Sequence, residues 1–151
     1  MTTSITAPAV NPLAPTAASP VAHHWASRAT GALLGLGIAY IHVVDQGGFP
    51  GSKAPTYVGI GYYLLEAAGL VAAIALLVGA RRHTRKAWAL MVGVALGPLI
   101  GFVLSRGPGL PDYTDDKGNW TEPIGIISLM VEGLLLVGAA AVLARSRRTN
   151  A

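Results

Sequence analysis

Four apolar runs, at about residues 29–45, 56–80, 87–105 and 123–144, constrain this chain more than any other feature. At about 1.5 Å per helical residue, the last three each cover a hydrocarbon slab of about 30 Å, and the first reaches it by running on to the interface. In lipid every backbone group must be bonded within the protein, which leaves helices or a closed barrel. The runs are too long for barrel strands, which need only about 9–11 residues. Composition agrees: 52% hydrophobic and 12% charged residues leave too little polar surface for a soluble globule. The expected fold is an all-α integral membrane protein, a bundle of four transmembrane helices.

Charge sets the expected orientation. The linker 81–86 (Arg-Arg-His-Thr-Arg-Lys) and the tail Arg145, Arg147 and Arg148 lie on one side with Arg28, a total of eight Lys/Arg. The other side holds Lys53, Arg106 and Lys117 with all the extramembrane acids: Asp45, Asp112, Asp115, Asp116 and Glu122. The positive-inside bias then predicts a plasma-membrane protein with both termini cytoplasmic. The net charge of +4 reflects this topology. A nucleic-acid partner would need a basic face on a folded soluble domain, and none is available.

Residues 1–24, rich in Ala, Pro, Thr and Ser, read as a disordered cytoplasmic tail. The membrane domain is expected over 25–145 and a short basic tail over 146–151. No Ala-x-Ala cleavage site follows the first apolar run, so that run is expected to stay as an anchor. With no cysteine, thiol nucleophiles, disulfides and Cys-metal sites are excluded.

Two glutamates, Glu66 and Glu132, sit inside apolar runs, where an acid is costly unless paired, hydrated or neutral and so marks a candidate site. They occupy matching places. Val58-Gly59-Ile60-x3-Leu64-Leu65-Glu66 aligns with Ile124-Gly125-Ile126-x3-Met130-Val131-Glu132 at a shift of 66, and Gly48-Phe49-Pro50 aligns with Gly109-Leu110-Pro111 at a shift of 61. The chain thus reads as two helical hairpins entering from the same side, related as parallel repeats. The repeat puts both glutamates about 12–15 Å in from the outer ends of their helices, facing each other or a common cavity.

Around that pair the sequence gathers Arg106, His42, Asp45, Tyr62, Tyr63 and Glu122 as a polar cluster opening outward. His42 and Asp45 share a helix face. The two tyrosines lie one turn outward of Glu66, within reach of its carboxyl. Two readings stay open. The glutamates either form a structural pair bridged by Arg106, or share a proton or a cation in a working site. The first is a matter of helix register; the second suits a general acid, a proton relay or a cation site.

Weaker signals complete the picture. Gly93, Gly97 and Gly101 form a small-residue stripe that suggests close helix packing or self-association. Trp25 and Trp88 on one side, and Tyr57, Tyr113 and Trp120 on the other, suit interfacial aromatic belts. Asp112, Asp115 and Asp116 lack calcium-loop spacing, so no metal is read. His42 is the only histidine within a membrane span, a poor basis for haem, and no cofactor is named.

The outer loop of the second hairpin carries Ser105-Arg106-Gly107-Pro108-Gly109-Leu110-Pro111, then Trp120-Thr121-Glu122-Pro123-Ile124-Gly125 and Glu132. It resembles a signature of small, mostly actinobacterial multi-pass membrane proteins in which Ser-Arg, Gly-Leu-Pro and Glu-Pro-x-Gly recur around an outer loop. The resemblance covers about 30 residues and implies a four-helix membrane protein, with Arg106, Glu122 and Glu132 as the residues that carry over; it implies nothing about chemistry. The expected function is an outer-facing pocket around the glutamate pair that binds a cation, a small polar ligand or a partner protein. The alternative is a membrane enzyme with a protonated Glu66 or Glu132 as general acid on a lipid or isoprenoid. The expected partners are the bilayer and a membrane protein or second copy of the chain.

Overall fold

The computed structural model describes residues 20–148, and among these the regular structure is entirely helical. The helices are α1 (Pro20–Asp45), α2 (Thr56–Val78), α3 (Arg81–Arg106) and α4 (Pro123–Arg148). Each contains a stretch long and apolar enough to cross a membrane: His24–Asp45, Thr56–Val78, His83–Arg106 and Pro123–Arg147. This is the architecture of a multi-pass four-helix membrane protein.

Three of the helices run beyond the apolar segments that announce them. α1 starts at Pro20, so the expected tail 1–24 overlaps it by five residues, and 1–19 lie outside the described residues. The basic linker 81–86 is the opening of α3, and α4 carries its Arg-rich end to Arg148. Hydropathy marks where lipid begins, whereas helix propensity, good for Arg, Lys and Ala, carries the backbone past that boundary. α2 is shorter than expected. It ends at Val78 because Gly79, whose N–H makes the last helical bond to Ala75 O at 3.0 Å, turns to extended backbone at ψ 140°; a Cβ at residue 79 would lie only 2.2 Å from that oxygen. Gly79 and Ala80 alone connect α2 to α3.

α1 packs on α2 and α3 on α4 as two antiparallel hairpins, and α2 with α3 and α4 with α1 close the ring. α1 also touches α3 across the middle, while α2 and α4 occupy opposite corners without contact. The described chain ends therefore share one end of the bundle with the 79–80 turn and the Arg/Lys clusters. The opposite end carries the loops 46–55 and 107–122.

The bundle is packed solid in its basic half. Ala32 and Ile38 of α1, Ala72 and Leu76 of α2, Trp88, Met91 and Val94 of α3 and Leu135 and Ala139 of α4 make up most of the core. Glycines permit the close approach. A Cβ on Gly31 would lie 2.3 Å from the Trp88 ring, and one on Gly69 3.1 Å from Gly35 O. Trp88 is thus a core residue and not part of an interfacial belt, whereas Trp25 is exposed. Arg28 has a structural task beyond its charge: its Nε donates to Leu76 O and its Nη2 to Gly79 O at 2.6 Å. The last turn of a helix leaves carbonyls without partners and a negative dipole end, and a buried guanidinium answers both.

Candidate functional site

The loop-end half is hollow. A cavity of about 360 Å³ lies between all four helices, beneath the loop 107–122. It is walled by Ile41, His42 and Asp45 of α1, Val58, Gly61, Tyr62 and Leu65 of α2, Gly97, Pro98, Gly101, Phe102, Ser105 and Arg106 of α3, and Ile124, Gly125, Ser128 and Glu132 of α4. The volume falls within the range of small-molecule sites, which are mostly apolar with a few placed polar groups. Gly93, Gly97 and Gly101 do not pack against another helix of this chain: a Cβ on any of them would meet nothing within 4 Å, and the last two line the cavity.

Glu132 is 1% exposed. The Ser128 hydroxyl, one turn earlier on α4, donates to its Oε1, while its Oε2 is buried with no hydrogen-bond partner. A carboxyl oxygen held out of water without a donor is expensive, and a positive or hydrogen-donating occupant of the cavity would relieve it.

Glu66 is elsewhere. It is half-buried, accepts a hydrogen bond from Gln46 Nε2 at 2.7 Å, and does not line the cavity. α2 and α4 sit at opposite corners, so the repeat does not bring the two glutamates together. Helix phase supplies the reason. Leu65 faces the cavity, and the next residue on a helix is turned by about 100°. That rotation takes Glu66 to the side of α1, where Gln46 follows its last turn.

Arg106 does not bridge the glutamates either. It is 8% exposed, stacks with its guanidinium carbon 4.1 Å from the Phe102 ring centre, and pairs with Asp116 at 3.3 Å and with Glu122. Its Nη1 also donates to Ser105 Oγ at 2.9 Å, and its backbone carbonyl accepts from Gly118 N–H at 2.8 Å. Arg106 thus ties loop 107–122 to the end of α3 at three points, Asp116, Gly118 and Glu122. The Arg, Trp, Glu and Gly of the loop signature form a single knot. Trp120 packs edge-on against Phe102 at 5.9 Å, Glu122 takes Arg106, and a Cβ on Gly125 would lie 2.7 Å from Phe102 and 3.3 Å from Arg106 Nη2.

The α1 wall is a second polar group. Asp45, at the C-terminal end of α1 where the helix dipole disfavours an acid, is held by Lys53 at 3.2 Å and by the Tyr62 hydroxyl. Tyr62 therefore serves Asp45 and not Glu66. His42, 9% exposed, packs edge-on to Tyr62 at 5.1 Å. Its Nδ1 lies 2.9 Å from Ile38 O. A carbonyl only accepts, so Nδ1 carries the proton and Nε2 is left as an acceptor on a ring that lines the cavity. Tyr63 is outside the site, exposed, with its hydroxyl on Gly51 O at 2.6 Å.

Tyr113 and Asp116 come from the loop and had no signal in the sequence beyond a belt tyrosine and a loose acidic cluster. Tyr113 is buried, not interfacial, and donates to Asp116 Oδ2 at 2.7 Å. Burial pushes its phenol above the usual range, and the hydrogen bond to Asp116 adds to the shift. Tyr57 of α2 donates to Pro111 O at 2.6 Å, which draws the loop over the cavity. Ser128 had a legible signal, a hydroxyl four residues before Glu132 on one helix face.

The cavity lining includes four acids, Asp45, Asp116, Glu122 and Glu132, against one arginine, with Lys53 beside Asp45 as a second base. Acid therefore exceeds base by two groups. Among the described residues no three His, Asp or Glu side chains gather closely enough to hold a metal ion. No protein-family model, characterised protein or solved structure matches this chain.

Proposed function

We propose that this protein is a plasma-membrane binding protein, with both termini cytoplasmic, whose cavity opens in the outer half of the bilayer and holds a small organic cation against Glu132. The observation that carries the reading is the Glu132 Oε2, buried, unpartnered and at a cavity lined by more acid than base. The ion pairs of Arg106 and Asp45 leave Glu132 as the acid without a basic partner, so the attraction for a cation concentrates at the inner end of the site. His42 Nε2 offers a second polar contact, and Phe102, Leu65 and Ile41 an apolar wall. An organic cation fits this mixture better than a metal ion, which would need several oxygen ligands converging on one point. The orientation rests on the basic end of the bundle lying in the cytoplasm.

Binding of methylammonium to the purified protein in lipid nanodiscs, followed by calorimetry, tests the reading. Saturable binding is expected, and Glu132→Gln should weaken it at least tenfold, while Glu66→Gln, outside the cavity, should leave it within twofold. Equal loss in both variants, or none in Glu132→Gln, would remove the basis for this function.

A further inference from the structure

The cavity has a roof and a side lined by glycine. At the loop end it is covered by 107–122, bound to α3 through Arg106 and to α2 through the Tyr57–Pro111 hydrogen bond. On α2 and α3 three lining positions present no side chain. Gly61, Gly97 and Gly101 line the cavity, a Cβ on any of them would meet nothing within 4 Å, and Gly61 and Gly97 are themselves exposed. α2 and α3 are adjacent in the ring and joined by two residues at the basic end, so the side of the cavity that these glycines line belongs to two neighbouring membrane-spanning helices. Depth matches as well. Gly97 and Glu132 are each nine residues from the loop ends of their helices, about 13 Å in. Glu132 thus lies level with Gly97 on the glycine-lined side.

Resting on the cation reading above, we infer that the occupant is an amphipathic monocation drawn from the bilayer, its ammonium group at Glu132 and its single alkyl chain leaving between α2 and α3 past Gly61. A headgroup of that kind satisfies the carboxyl, and the chain needs no aqueous passage, which the roofed loop end would obstruct. Glycine on the α2 side then has a purpose that helix stability does not explain, since glycine is the worst ordinary residue for a helix interior.

Dodecylammonium and methylammonium, compared in nanodiscs with empty-disc partitioning subtracted, separate chain from headgroup. In Gly61→Leu dodecylammonium binding is expected to fall at least tenfold further than methylammonium binding does. The variant should fold, because the new side chain enters open space and leucine favours helix; Gly93→Leu, which also enters open space but outside the cavity, should leave both ligands unchanged. Equal weakening of both ligands by Gly61→Leu would mean a cavity merely filled, and no weakening of either would mean the chain leaves elsewhere; each overturns the lateral route while the cation reading stands. Methylammonium binding that is absent, or insensitive to Glu132→Gln, overturns the cation reading and this inference with it.

Discussion

Glu66 and Glu132 show how far identical residues at matching places in a repeat can diverge. One has an amide partner at the bundle's flank; the other is enclosed with a hydroxyl on one oxygen and nothing on the second. Two helical glycines differ in the same way. Gly31 lies against the Trp88 ring, whereas Gly93 faces empty space. Alanine at residue 31 must displace an indole in a packed core and should cost about 1–3 kcal/mol. Alanine at 93 meets no atom and gains helix propensity, so it should be neutral or stabilising by up to about 1 kcal/mol. Unfolding midpoints in mixed micelles would compare them; equal effects would contradict the packing described here.

Among the elements, loop 107–122 depends most on a single side chain. Arg106 reaches Asp116 and Glu122 together because a planar guanidinium presents donors in a fork, a geometry that a lysine ammonium does not reproduce. Arg106→Lys should therefore keep the charge and lose one arm of the bridge. A charge-assisted hydrogen bond contributes about 1.5–3 kcal/mol, and about 1.4 kcal/mol is a factor of ten. Amide exchange across 107–122 should accelerate at least tenfold, with the basic-half helices unaffected; protection equal to the native loop would show that the knot of Trp120, Gly125 and Phe102 holds it alone.

For the molecule as a whole, the even number of helices puts both described ends of the chain with the Arg/Lys clusters. The chain has no cysteine, so single cysteines report sidedness cleanly. With the termini inside, Thr114→Cys in the exposed loop should react with an impermeant maleimide on intact cells and His83→Cys should not; the reverse pattern would invert the orientation. Helix number and the positions of the spans were legible in the sequence because they depend on local quantities, run length and hydropathy, that each segment carries regardless of its neighbours. Parts of the site were legible for the same reason: an acid in hydrocarbon is conspicuous, and Arg106, Glu122, His42 and Asp45 stand where apolar runs end. Which of them meet was not. Leu65 instead of Glu66 faces the cavity, Tyr62 serves Asp45, and the glycines of α3 border empty space, because each outcome depends on how a helix is rotated against its neighbours. About 100° per residue separates a cavity wall from a lipid face. That rotation is set by contacts between segments far apart in the chain, such as Trp88 on Gly31 and Gly69 on Gly35, which no local pattern encodes.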